Sequence, residues 1–143
     1  MPGAVQPHIL YAREPTLDPA EFRRVLVESG LGAIRPVADP SRLQTMLDNA
    51  SLVVTARLDT PGHPLVGVAR GITDSVWCCY LSDLAVCASA QRRGIGQALL
   101  DECQRQLGPQ VTLILISVDA ATPFYERTGM TRLHNAFWRR RDL

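Results

Sequence analysis

The most constraining stretch of this chain is AQRRGIGQALL, residues 90–100. Gly94 and Gly96 stand one residue apart, behind Arg92 and Arg93. Ahead of them, Ile95, Ala98, Leu99, Cys103 and Leu107 repeat at helical period. Glycine costs about 1 kcal/mol against alanine in a helix interior, so two of them at a helix start need a reason. A helix N-terminus leaves backbone N–H groups without partners and carries partial positive charge. A glycine-rich turn lets an anion approach those groups closely. The local chemistry is that of a phosphate or pyrophosphate cradle placed between a strand and a helix.

Composition separates the kinds of cradle. All 15 basic residues are arginine, so a lysine-dependent phosphate loop and a lysine Schiff base are both excluded. The dinucleotide fingerprint wants a third small residue where Leu99 stands. A net charge of +1 gives no electrostatic case for nucleic acid or a membrane surface as partner. The four cysteines, Cys78, Cys79, Cys87 and Cys103, form no C-x-x-C pair and have no histidine at ligand spacing, so they read as buried free thiols without a metal. The start MPGAVQPHILYAREP lacks the order of a leader peptide, and no apolar run approaches a membrane span. A cytoplasmic location and one domain over residues 1–143 are expected.

Along the chain, HILYAR reads as a first strand. Asp18 and Pro19 open a helix, with Glu21 at capping-box spacing and Gly30 as its stop. Asp39 and Pro40 open a second helix carrying Leu43, Met46 and Leu47. SLVVTARL and LVGVARGIT flank the turn cluster DTPGHP as a hairpin, and VWCCYLSDLAV continues the meander. VTLILISV has the unbroken apolar texture of a strand buried on both faces. A short helix is expected over residues 122–128, and a last strand or hairpin over residues 130–138. The order β, two helices, antiparallel meander, helix, strand, helix, strand describes an α/β sandwich.

Val86, four intervening residues and then Gln91-Arg92-Arg93-Gly94-Ile95-Gly96 resemble the V-x-x-x-x-Q/R-x-x-G-x-G/A pattern of the GNAT N-acetyltransferase superfamily. ATPFYERTGM, residues 121–130, resembles that superfamily's A-x-x-F-Y-x-x-x-G-F block, with Met130 in place of the usual aromatic. With the central hairpin the resemblance spans roughly residues 10–138. It implies a mixed, mostly antiparallel sheet of about six to seven strands, about four helices on its two faces, and splayed strands 4 and 5.

The resemblance further implies acetyl-CoA as cosubstrate, with no metal, and direct transfer of the acetyl group to a primary amine of a small molecule or peptide. The alternative is an acyl-CoA-binding or sensor module on the same fold. The cofactor set is then Leu84, Ala85 and Val86 through their backbone, with Gln91, Arg92, Arg93, Gly94, Ile95, Gly96 and Gln97 around the pyrophosphate. Tyr125 aligns with the family's frequent general acid. Asp83 is the best single carboxylate for a base, with Glu28 and His134 behind it, and ordered water serves where no base exists. Tyr11, Phe22, Trp77 and Trp138 are candidates to line an apolar acceptor pocket. The resemblance leaves a homodimer open.

Overall fold

The computed structural model describes residues 5–142; the first four residues of the stretch read above for a leader lie outside it. The elements run β1 (Ile9–Arg13), α1 (Pro19–Ser29), α2 (Pro40–Asp48), β2 (Leu52–Leu58), β3 (Leu65–Thr73), β4 (Cys78–Val86), α3 (Ile95–Leu107), β5 (Thr112–Ile114) and α4 (Thr122–Arg127). One sheet is ordered β1-β2-β3-β4-β5. Its first four strands are antiparallel, and β5 joins β4 in parallel.

The helix starts follow from their caps. Asp18 accepts from the Ala20 N–H at 3.1 Å and Asp39 from the Arg42 N–H at 3.0 Å, each just ahead of a proline. Gly30 ends α1 at φ 89°, a left-handed conformation that glycine adopts without penalty. Glu21 does not close a capping box. Its carboxylate is drawn to Arg57 instead, at 2.7 Å.

Two cores sandwich the sheet. On one face Phe22, Val25 and Leu26 of α1 and Leu43 and Leu47 of α2 pack on Val53, Leu65, Val68 and Ala85. On the other, Ile95, Leu99, Leu100 and Cys103 of α3 pack on Val54, Ala56, Ala69 and Leu81. Each such buried side chain contributes on the order of 1.5–3 kcal/mol. Helix α3 comes close because β3 is bare at Gly67, where a Cβ would sit 3.1 Å from the Leu99 Cδ1.

The strand count is a correction. The described residues form five strands, against the six to seven expected. VTLILISV gives only a three-residue β5, paired with β4 over Cys78–Tyr80. Beyond that point Ser82 is an extra residue on β4, since Arg70 faces Asp83 while Gly71 faces Leu81. A β-bulge of this kind locally interrupts the ladder. The α1 and α2 layer stops short of β5, so Ile114 and Ile116 are exposed rather than buried on both sides. Residues 130–138 form no strand at all. Of the four free cysteines, Cys78 is exposed and the other three are buried.

Candidate functional site

The bulge at Ser82 also changes which way β4 presents its side chains. Before it, Cys79 and Leu81 point to the α3 face; after it, Leu84 and Val86 do, and Asp83 and Ala85 point to the α1 face. Residues 84–86 pair with β3 on one side only, because the hydrogen bonding to β5 has ended at Tyr80 and Ile114. The pairing of strands 4 and 5 ends there. The backbone groups of Leu84 and Val86 turn away from β3 toward the opening, whereas Ala85 sits at a position bonded to β3, in step with the Cys87 N–H on the Val66 carbonyl.

At the end of β4 the chain enters the glycine turn. Gln91 reaches back and donates from Nε2 to the Val86 carbonyl at 3.0 Å, holding the turn against the strand end. Arg92 at φ 63° and Gly94 at φ 77° both take the left-handed conformation, which curls successive N–H groups toward one side. The first helical bond of α3 runs from the Ala98 N–H to the Gly94 carbonyl at 3.0 Å. The N–H groups of Ile95, Gly96 and Gln97 thus lie ahead of the helical ladder, with no carbonyl a turn earlier to take them. Arg92 is exposed beside them. Arg93 is committed elsewhere, donating from Nη2 to the Pro7 carbonyl at 2.9 Å.

The two glycines have different reasons. Gly94 has open space around it and is needed for its positive φ. Gly96 has a helical neighbour: a Cβ there would lie 3.0 Å from the Phe124 Cζ. Phe124 is on α4, so this contact joins the two sequence blocks that lie about thirty residues apart. Phe124 meets Tyr125 edge-on, with ring centroids 5.0 Å apart, and both rings pack on the core cluster that also holds Leu84, Val86 and Ile95. Burial raises the Tyr125 phenol above its ordinary pKa of 10.0, so it keeps its proton throughout the neutral range.

Asp83 does not have the surroundings of a base. Its carboxylate is fully buried, with Oδ1 accepting from Arg35 Nε at 2.6 Å and Oδ2 from Arg70 Nε at 2.5 Å. Arg35 also donates to the Ser82 carbonyl at 2.8 Å, and Arg70 to the Ser82 hydroxyl at 3.0 Å and the Met46 carbonyl at 3.4 Å. The cluster ties the segment after α1, helix α2 and strand β3 to the bulge of β4. Both Asp83 carboxylate oxygens are taken by guanidinium groups, so Asp83 fastens these elements together. Arg35 and Arg70 were missed in the sequence. Arg70, a charge inside the apolar run LVGVARGIT, was the available signal for a buried partner; Arg35 gave none.

The remaining candidates are scattered. Glu28 pairs with Arg24 on the surface of α1 at 3.1 Å, and His134 is exposed in the C-terminal segment. Phe22 is fully buried in the α1 core and Tyr11 packs against the other core, whereas Trp77 and Trp138 are largely exposed. These four aromatics do not converge on one pocket. Burial pushes the Cys103 thiol up to about 12 and the Cys79 and Cys87 thiols up to about 11, so none is poised as a nucleophile. Among the described residues no group of three histidine, cysteine or carboxylate side chains is placed to hold a metal ion, and no helix is long and apolar enough to cross a membrane.

Comparison with known proteins bears on the family and the fold. The acetyltransferase (GNAT) domain family matches residues 24–140. A candidate acetyltransferase from Deinococcus radiodurans is 28% identical, with a TM-score of 0.72 over 92% of this chain and 88% of that one. A GNAT-family acetyltransferase from Streptococcus pneumoniae is 20% identical, with a TM-score of 0.68 over 94% of this chain and all of the other. An aminoglycoside acetyltransferase from an uncultured soil sample, in complex with sisomicin, is 19% identical, with a TM-score of 0.70 over 94% and 96%. No curated protein matches the chain.

Proposed function

The chain belongs to the GNAT acetyltransferase family, and we propose that it transfers the acetyl group of acetyl-CoA directly to a primary amine. The observation that carries this reading is the convergence of three features. Strand β4 parts from β5 after Tyr80, the α3 turn with its N–H groups follows directly, and Gly96 seats Phe124 so that Tyr125 lies against the same core.

The residues fit acetyl-CoA. The left-handed backbone at Arg92 and Gly94 and the N–H groups of Ile95, Gly96 and Gln97 suit a pyrophosphate. Arg92 adds charge, while Gln91 and Arg93 shape the turn through Val86 and Pro7. The outward backbone of Leu84 and Val86 suits an extended amide-bearing arm, although the Val86 carbonyl already accepts from Gln91 and Ala85 is turned to β3. When bound, acetyl-CoA supplies an acetyl carbon activated as a thioester. The outward backbone N–H groups of β4 would be the donors to stabilise charge developing on its acetyl oxygen. Tyr125 holds a proton at Oη for the departing sulfur, whose thiol has a solution pKa of about 8.5. With Asp83 held in its ion pair, the amine loses its proton to water. The acceptor is a primary amine of a small molecule or peptide, and an aminoglycoside acetyltransferase among the fold's relatives supports an amine as acceptor class.

A panel of free amines and peptides, incubated with acetyl-CoA while released thiol is followed, tests the proposal. Amine-dependent thiol release supports transfer. Tight CoA binding with no turnover across the panel means a binding or sensor module instead.

A further inference from the structure

We propose that the acceptor amine carries an apolar body, an aryl or branched alkyl group, which rests on a row formed by Ile72, Tyr80 and Ile114 beside the point of transfer. The proposal rests on the acetyl-transfer reading and deepens it to a substrate class. Ile72 of β3 stands opposite Tyr80 of β4, and Tyr80 stands opposite Ile114 of β5. Side chains at such opposed positions share one face of a sheet. It is the α1 face, because Cys79 and Leu81, the chain neighbours of Tyr80, pack with α3. With strands about 4.8 Å apart, the row is roughly 10 Å across, wide enough to seat one aromatic ring.

The row is uncovered. Ile72 is 52% exposed, Tyr80 43% and Ile114 40%, and Ile116, two residues past Ile114, is 55% exposed. Scattered apolar side chains on a surface need no explanation, but three in register across three strands make one contiguous patch. The other face of the same region is filled. Leu113 and Leu115, which alternate with these isoleucines, pack on the core cluster that also takes Phe124 and Tyr125. The place where β4 and β5 stop pairing is therefore open from the α1 side.

Its position ties the row to the reaction. The next residues along β4 are the Ser82 bulge and Asp83, held by Arg35 and Arg70. An arm laid along the outward backbone of Val86 and Leu84 brings its reactive end to that bulge. A molecule attacking it from the open side crosses the row. Charge decides against a polycation. Asp83 is the one carboxylate of β3, β4 and β5, and both its oxygens are taken. Asp74, at the turn beyond Ile72, accepts from the N–H groups of Val76, Trp77 and Cys78. A second ammonium group would meet no free anion on these strands, whereas an apolar body finds a surface on which to leave water.

Steady-state thiol release at saturating acetyl-CoA, with 2-phenylethylamine, ethanolamine and spermidine as acceptors, tests the proposal. A single methylene seated on an apolar surface can be worth roughly tenfold, so kcat/KM for 2-phenylethylamine should exceed that for each of the others by at least that factor. In Ile72→Ser/Ile114→Ser the advantage should fall roughly tenfold, chiefly through KM, whereas Ile72→Leu/Ile114→Leu should keep it. Both positions are exposed, and circular dichroism checks the fold. Isoleucine methyl resonances of the unsubstituted chain with CoA give a reading without turnover. Those of Ile72 and Ile114 should shift as 2-phenylethylamine is added and stay in place with spermidine. Equal or better use of spermidine or ethanolamine, a serine variant that keeps the preference, or unmoved methyls overturns the proposal and leaves acetyl transfer standing. No thiol release with these or any other amine of the panel above overturns both.

Discussion

At residue scale two contacts underlie the proposed site. Arg35, Asp83 and Arg70 fasten the β4 bulge to the segment after α1, in a setting where Asp83 is fully buried and Arg70 nearly so. Removing one partner leaves buried guanidinium charge uncompensated, so Asp83→Ala should cost about 3–5 kcal/mol, read by urea unfolding. An Asp83 variant that kept wild-type stability but lost turnover would restore the carboxylate as the base. The second contact is Gly96 against Phe124. Alanine gains up to about 1 kcal/mol over glycine in a helix, so Gly96→Ala should leave the fold standing. The new methyl must displace Phe124 and with it Tyr125, so turnover should fall several-fold, and Phe124→Leu in the same chain should restore part of it. Unchanged turnover in Gly96→Ala would show that the contact does not position Tyr125.

At the scale of elements, Arg57 on β2 clamps Glu14, which follows β1, and Glu21 on α1. Burial opposes ionisation of Glu14, but hydrogen bonds from Arg57 and Thr55 overcome it; at Glu21 the Arg57 bond leads. Both carboxyls are held below the ordinary 4.5. Their contribution is therefore present above that value and is lost as the pH falls through the lowered folded values. Arg57→Leu should reduce stability by roughly 1–3 kcal/mol at neutral pH and flatten the loss of stability below pH 4.5. An unchanged acid limb would count against the clamp. The element starts were legible because Asp18-Pro19 and Asp39-Pro40 carry their own capping chemistry. The fate of VTLILISV was not. Its apolar texture reports strand propensity, whereas its length as a strand is set by a bulge at Ser82 on another element and by how far α1 and α2 extend. Glu21 shows the same limit, since its capping-box spacing was local and the competing Arg57 was not.

At the scale of the molecule, the central claim is that two blocks about thirty residues apart form one acetyl-transfer site. Both blocks were visible in the sequence through their resemblance to the family's patterns, and the structure gives their glycines Gly94 and Gly129 positive φ. Their meeting through Gly96 and Phe124 was not visible, because no spacing rule links a bare helical position to a ring on a later helix. The most direct measurement is the steady-state kinetics of Tyr125→Phe with a competent amine, alongside calorimetry of acetyl-CoA binding. The substitution removes one hydroxyl and keeps the packed ring. If Tyr125 protonates the leaving thiolate, kcat and kcat/KM should fall together by about 10²–10⁴-fold, with acetyl-CoA affinity little changed. Turnover close to that of the unsubstituted chain would contradict the account.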